Sequence, residues 1–165
     1  MGAIAQAEVK VEFRAMGTEF EIICAAHDLH VLDELKRYTE DLESLWTRFD
    51  DASELMQLNA HAGQALHVSS ETSQLVAEMK RGYELTGGLY DAGILSAILQ
   101  AGFIAQESQL KFSEATQQSH AELWAQVIVT ENSVQLPQGL AIDPGGIGKG
   151  LAADFITDKA INLGA

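Results

Sequence analysis

Alternating apolar and polar residues at the start of the chain predict a β-hairpin. Val9, Val11 and Phe13 alternate with charged residues, which is typical of a half-buried strand. A short turn at 16–18 follows, and then a second apolar run at 20–25. Two such runs joined by a tight turn predict strands that pair antiparallel.

After the hairpin, apolar residues recur every three or four positions, which predicts amphipathic helices. The first has a stripe of leucines and is expected to begin at a capping Asp28. A short second helix is predicted to begin at Ser53, and a third at Ser69 or Ser70. Gly87-Gly88 ends the third helix, because glycine favours the position just after a helix.

The second half of the chain predicts short strands and one polar connection. A strand is expected at 65–68 and a hairpin at 127–136. Between them, 106–121 is polar and predicts a surface loop or an irregular helix, while the apolar Leu140–Ile142 predicts a buried strand. Together these elements predict an α+β fold, an antiparallel sheet with helices on one side.

The most informative motif is the glycine loop, Asp143–Gly150, which contains four glycines and Lys149. It precedes a helical pattern, and a helix start offers N–H donors and a positive dipole end to a phosphate. Lys149 adds a positive charge there, and Gly148 is expected to need a positive φ or a close backbone approach. The motif is not a Walker loop, because glycine follows the lysine. A purely structural turn remains the alternative.

Composition narrows the possible partners. The chain has 10 basic and 24 acidic residues and a net charge of −14, which argues against nucleic acid or an anionic membrane surface as a partner. Cys24 is the single cysteine, so no internal disulfide can form. No signal peptide and no membrane-spanning run is recognisable, which predicts a cytoplasmic protein. A chain from which an export signal had been removed would have the same composition and would be periplasmic or in the cell envelope.

Four segments together resemble one family. They are Met16-Gly17-Thr18, residues 47–59, residues 86–91 and residues 143–154. Their order and spacing are similar to those of the ApbE family, the FAD:protein FMN transferases. The last segment is the specific one, although Pro144 stands where the family generally has leucine.

The resemblance implies a function and an incomplete domain. ApbE proteins, whose fold is related to the T-fold, use Mg²⁺ to transfer FMN from FAD to a Thr or Ser hydroxyl of a partner flavoprotein, and AMP is released. Family chains are usually longer, so residues 1–165 are expected to be the N-terminal portion of one domain, with the rest absent or carried by a second chain. Two alternatives stay open: an FAD pyrophosphatase that forms FMN and AMP, and a flavin-binding module without catalysis.

The resemblance also assigns residues. It implies FAD contacts for Met16, Phe49, Leu89, Tyr90, Asp91 and Lys149. It implies a catalytic role for Lys149 and a metal-binding backbone carbonyl at Ala152. Each has a structural alternative: Met16 as a hairpin-turn residue, Phe49 as a core residue, Asp91 as a helix cap and Lys149 as a surface lysine.

Overall fold

The structure, a computed structural model, describes residues 8–25, 29–102 and 118–164 and has two compact units. The first unit contains the chain up to Glu43 and again from Lys149, and the second runs from Ser44 to Gly148. The strands are β1 (Glu8–Ala15), β2 (Thr18–Ala25), β3 (Ala65–His67), β4 (Ile128–Thr130) and β5 (Ser133–Gln135). The helices are α1 (Leu29–Trp46), α2 (Glu54–Ala60), α3 (Ser70–Leu85), α4 (Leu95–Gln100), α5 (His120–Gln126) and α6 (Gly148–Asn162). Antiparallel sheets and helices confirm the α+β class, and the described strands form two sheets.

In the first unit, β1 and β2 form the predicted antiparallel hairpin. Ala15 pairs with Thr18, which leaves Met16 and Gly17 as the turn, with φ of 50° and 69°. Two consecutive positive φ values are characteristic of a type I′ turn, whose twist matches that of the strands. The Met16 N–H donates to Glu43 Oε1 at 2.6 Å, which fixes the turn to α1.

Lys159 links α6 to α1 within the first unit. Its ammonium lies 3.0 Å from Glu34 Oε1 and 4.9 Å from the ring centroid of Tyr38. The two partners stand four residues apart on α1, so they lie on one face of that helix. The predicted leucine stripe of α1 is buried at Leu32 and Leu35.

The second unit contains a three-stranded sheet in the order β3-β5-β4, with α3 packed against β4 and β5. Both strand pairs are antiparallel, and β4 and β5 form the hairpin predicted at 127–136. Val134, on the central strand, is fully buried, as are Leu75, Val76 and Met79 on α3. An apolar helix face on an apolar sheet face is therefore the core of this unit.

Serine caps begin α2, α3 and α5 in the second unit. Ser53 Oγ accepts from the Met56 N–H at 3.1 Å, which confirms the predicted start of α2. Ser69 Oγ accepts from the Thr72 N–H at 3.1 Å and so selects Ser69 over its neighbour as the cap of α3. Asp28, the predicted cap of α1, lies outside the described residues. No helix in the described ranges is both long enough and apolar enough to cross a membrane.

Helix α5 lies at the end of the segment predicted to be a loop or an irregular helix, 106–121. Most of that segment is outside the described residues, but Ser119 and Glu122 form a reciprocal capping box at its end. That box starts a regular helix which the polar composition did not predict. The helix buries Leu123 and Trp124.

The strand predicted at Leu140–Ile142 is wrong, because this buried segment belongs to no sheet. The side chain of Asn59 replaces a neighbouring strand. Its Oδ1 accepts from the Ile142 N–H at 2.7 Å, and its Nδ2 donates to the Ile142 carbonyl at 2.9 Å. On either side, the Ala141 carbonyl accepts from the N–H of residue 95 and the Asp143 N–H donates to the carbonyl of residue 92. The backbone is thus satisfied without strand pairing.

Replacing Asn59 by leucine is expected to lower the free energy of unfolding by about 2–3 kcal/mol, because both polar groups of Ile142 would be buried without partners. Chemical denaturation followed by circular dichroism measures this. The matched control is Gln74→Leu, the same loss of an amide at an exposed position of α3. It should change the stability by less than about 0.5 kcal/mol. Equal effects of the two changes would contradict the role of Asn59.

Candidate functional site

The glycine loop is tightly folded where α6 begins. Gly146 has the left-handed φ of 86°, whereas Gly148 lies outside that region, so the positive φ expected at Gly148 is wrong. Gly148 is the first residue of α6 and donates to the Pro144 carbonyl at 2.8 Å. A Cβ on Gly148 would lie 3.1 Å from Pro144 Cβ, and one on Gly145 would lie 2.7 Å from Asp143 Oδ1. Close approach is therefore the reason for glycine at these two positions.

A nearly buried ion pair fixes the entrance of the loop. Asp143, whose side chain is 4% exposed, accepts from Arg48 Nη1 at 2.8 Å and from the Gly145 N–H at 2.8 Å. The Arg48 guanidinium also lies 5.0 Å from the ring centroid of Phe49. Arg48 Nε is buried and has no hydrogen-bond partner among the described residues. The pair therefore leaves the buried Nε–H of the guanidinium uncommitted.

Tyr90 lies between α3 and the glycine loop. A Cβ on Gly82 would be 2.8 Å from Tyr90 Cδ1, and one on Gly146 would be 3.3 Å from Tyr90 Cε2. Burial, followed by the negative charges of Asp143 and Asp91, raises the pKa of the Tyr90 hydroxyl to about 12. The hydroxyl is thus neutral at physiological pH, and it has no hydrogen-bond partner in the described part of the chain.

The Asp91 carboxylate is engaged by groups of its own unit. Its Oδ1 accepts from the Gly93 N–H at 2.7 Å and from Trp124 Nε1 at 2.9 Å. Its Oδ2 is hydrogen-bonded to Nδ1 of His120. Asp91 therefore ties the start of α5 to the segment that follows Tyr90. It does not cap α4, whose first turn has no side-chain cap.

These hydrogen bonds determine the ionisation of Asp91. Burial disfavours the charged form, but the bonds from His120, Trp124 and the Gly93 N–H outweigh it, so the pKa of Asp91 lies below its ordinary value of 3.8. A carboxyl with a lowered folded-state pKa stabilises the fold above its unfolded-state pKa. That stabilisation is lost as the pH falls through the folded-state pKa.

Exchange of Asp91 for asparagine should therefore reduce stability most at neutral pH. We expect the difference in melting temperature between wild type and Asp91→Asn to shrink as the pH falls below about 4. Melting curves recorded by circular dichroism from pH 7 to pH 3 test this. Trp124→Phe, which removes one of the donors, should show an intermediate pH dependence. A difference that stayed constant down to pH 3 would contradict the assignment.

Two assigned apolar residues of the second unit are open to solvent. Phe49 is 51% exposed and Leu89 is 94% exposed. The alternative of Phe49 as a core residue is therefore wrong. Both side chains are thus accessible to a ligand.

The remaining assigned residues belong to the first unit and are described separately. Met16 is half-buried in the β1–β2 turn, and Lys149 is exposed in the first turn of α6. Ala152 is fully buried inside α6, where helix carbonyls accept intrahelical hydrogen bonds. The structure thus brings Tyr90 and Asp91 together with the glycine loop within one unit.

Nothing in residues 8–25, 29–102 and 118–164 forms a complete metal site. No group of three or more His, Cys, Asp or Glu side chains meets within these ranges. Mg²⁺ needs several hard oxygen ligands in octahedral geometry, and a single backbone carbonyl at Ala152 does not meet that requirement.

Sequence reasoning assigned no role to Arg48, Asp143, His120 or Trp124. An aspartate two residues before a glycine is a known turn signal, so Asp143 could have been identified as the residue that folds the loop. Its partner Arg48 stands 95 positions earlier, and His120 is 29 positions from Asp91. No local pattern in the sequence indicates contacts over such separations.

Comparison with known proteins gives one family and one fold. A model of the ApbE family matches residues 16–164. No curated protein sequence matches the chain at a significant level.

Several solved structures share the fold. An ApbE protein from Thermotoga maritima is 21% identical to this chain, with a TM-score of 0.75. The match covers 94% of this chain and 53% of that protein. Flavin transferase ApbE from Vibrio cholerae is 21% identical with a TM-score of 0.75, with coverages of 96% and 54%. Flavinyl transferase ApbE from Pseudomonas stutzeri, in its apo form, is 17% identical with a TM-score of 0.77, with coverages of 99% and 58%. The chain therefore spans about half the length of the structures that it matches.

Proposed function

The chain belongs to the ApbE family, and on that premise we propose that the full-length protein transfers FMN from FAD to a Thr or Ser hydroxyl of a partner flavoprotein. AMP is the second product, and Mg²⁺ is required. The solved structures with this fold include proteins named flavin transferases, which supports a flavin-transferring enzyme.

One observation carries the proposal: the glycine loop is folded by Asp143 and Arg48 immediately before α6. These contacts hold the loop in place, and the N–H groups of Gly145, Ile147 and Gly148 donate within the loop, to Asp143 Oδ1 and the Pro144 carbonyl. The helix that follows adds N–H donors and the positive end of its dipole. Preorganised donors of this kind stabilise the charge that develops on a reacting phosphoryl group.

The reaction is a phosphoryl transfer in which positioning and charge stabilisation do most of the work. The acceptor oxygen forms a bond to the phosphorus of the FMN half. The bond from that phosphorus to the bridging oxygen breaks, and AMP leaves with the electron pair. The acceptor hydroxyl releases its proton to water in the same process. We propose that Lys149 supplies a positive charge to the phosphoryl oxygens.

We propose that the other assigned residues bind the nucleoside parts of FAD. The exposed side chains of Phe49 and Leu89 in the second unit, and the half-buried side chain of Met16 in the first, each offer apolar surface to a flat heterocycle. The Tyr90 hydroxyl is neutral and has no partner in the described chain, and because the atom is buried, a ligand oxygen satisfies it only where its surroundings open on binding. Asp91 acts through its neighbours, since its oxygens already accept from groups of its own unit.

Magnesium enters the proposal through the family alone. The described residues do not form its site, and we derive no step from the ion. If Mg²⁺ is required, Ala152 can contribute at most one carbonyl, and other ligands must complete the coordination.

The experiment uses the full-length protein, FAD, Mg²⁺ and a purified flavoprotein acceptor. AMP release is measured by chromatography, and FMN on the acceptor by its mass. AMP together with flavinylated acceptor supports the transferase. AMP and free FMN without labelled acceptor would indicate FAD pyrophosphatase activity instead, and FAD binding without AMP would indicate a binding module.

A further inference from the structure

We propose that His120 recognises a hydrogen-bond donor of the nucleoside part of FAD, and that Asp91 is its positioning residue. This inference rests on FAD being the ligand in the proposed function. It assigns a specific contact to a residue that has no role in the sequence analysis.

The Asp91 carboxylate is largely occupied by donors of its own chain. It accepts from the Gly93 N–H, from Trp124 Nε1 and from Nδ1 of His120. A carboxylate offers about four lone-pair directions in total. Three own-chain donors thus turn the Asp91 carboxylate inward.

His120, which is hydrogen-bonded to Asp91, is the more exposed residue of the pair. Its side chain is 44% exposed, compared with 19% for Asp91. When the ring is in its neutral form, a proton on Nδ1 is donated to the carboxylate, and Nε2 then carries the lone pair and is an acceptor. Among the described residues, no hydrogen-bond partner occupies Nε2. The ring is oriented, accessible and limited to one kind of partner.

Because Nε2 of His120 is an acceptor, it can form a hydrogen bond only with a donor group of FAD. Phosphate oxygens are acceptors and cannot pair with a neutral Nε2. The donors on FAD are the adenine amino group, the ribose and ribityl hydroxyls and the flavin imide N–H. His120 therefore contacts a nucleoside donor, while the glycine loop provides donors suited to the pyrophosphate.

The position of His120 within its unit agrees with a nucleoside contact at His120 and a pyrophosphate contact at the glycine loop. Asp91 follows Tyr90 directly, and the Tyr90 ring lies against Gly146 of the glycine loop. A Cβ on Gly93 would be 2.7 Å from Leu140 Cδ1, 3.0 Å from Asp91 Oδ1 and 3.4 Å from His120 Nδ1, so Gly93 packs closely against this pair and against Leu140. The Asp91–His120 pair is thus built into the segment that borders the loop.

The substitution His120→Asn tests the contact with FAD while it keeps a hydrogen bond to Asp91. The asparagine amide can still donate to Asp91 from the place of Nδ1, but it has no group at the place of Nε2. We expect its Kd for FAD, measured by flavin fluorescence, to rise about tenfold. His61→Asn is the matched control, because Nδ1 of His61 also lies within hydrogen-bond distance of its own chain, 3.0 Å from the Gln57 carbonyl. A Kd for His120→Asn equal to those of wild type and the control overturns the inference.

A second ligand identifies the donor. Flavin hypoxanthine dinucleotide lacks the adenine amino group. If that group is the donor, wild type binds FAD more tightly than the analogue, and His120→Asn binds both alike. If His120→Asn instead loses the same affinity for FAD and for the analogue, relative to wild type, the donor is a hydroxyl or the flavin imide N–H. Both outcomes support His120 as the recognition residue.

A measurement on the wild-type protein removes any dependence on how the variant folds. Addition of FAD should shift the Nε2 resonance of His120 in nitrogen-15 spectra and leave that of His61 in place. An unmoved His120 resonance under saturating FAD overturns the inference. Wild type that binds FAD through His120 but transfers no FMN contradicts the proposed function only, whereas wild type that binds no FAD overturns both.

Discussion

Asp143→Ala is expected to lower the free energy of unfolding by about 2–3 kcal/mol, a large part of the stability of a domain this size. The change removes the acceptor for Arg48 and for the Gly145 N–H, and it leaves the guanidinium uncompensated. The estimate is below that for a fully buried pair, because the Arg48 side chain is 29% exposed. Urea denaturation followed by circular dichroism measures the difference.

An exposed ion pair provides the control for Asp143. Glu78→Ala breaks the pair with Arg81, whose atoms are also 2.8 Å apart but whose side chains are 34% and 64% exposed. Its loss should cost less than about 1 kcal/mol. A double-mutant cycle with Arg48→Met isolates the interaction between Arg48 and Asp143 from other effects of each change. If Asp143→Ala costs no more than Glu78→Ala, the pair does not hold the loop.

Local signals in the sequence predicted much of the fold. Two alternating runs and a short turn predicted the β1–β2 hairpin, and serine caps predicted the starts of α2 and α3. These features depend on residues within a few positions of each other, so a pattern along the chain records them. The predicted strand at Leu140–Ile142 failed because the segment is apolar and extended, yet its partner is a side chain, that of Asn59.

The candidate site was predictable in position but not in detail. Family-like motifs placed Tyr90, Asp91 and the glycine loop in the site. They gave no indication that the Asp91 carboxylate would be occupied by Trp124 and His120, because these contacts depend on how α5 packs. Glycine content likewise predicted the loop. Only the backbone angles show that Gly146, and no other glycine of the loop, has a positive φ.

Lys149→Ala in the full-length protein is expected to lower the rate of AMP release from FAD by about 10²–10³-fold. Lys149 is the cation at the start of α6, next to the N–H donors of the first turn. If it faces the pyrophosphate, its charge stabilises oxygens that become more negative in the transition state. Its side chain is exposed, so the melting temperature should stay close to that of wild type. Lys149→Arg keeps the positive charge and should retain more activity than alanine.

Lys159→Ala removes the same charge from the same helix at a distance from the loop, and it should release AMP at nearly the wild-type rate. Its loss affects the contacts with Glu34 and Tyr38, so a small decrease in stability is expected instead. The comparison distinguishes a local effect of Lys149 from a general effect of net charge. AMP release by Lys149→Ala at the wild-type rate would mean that the glycine loop is a structural turn and that the cation for the pyrophosphate comes from elsewhere.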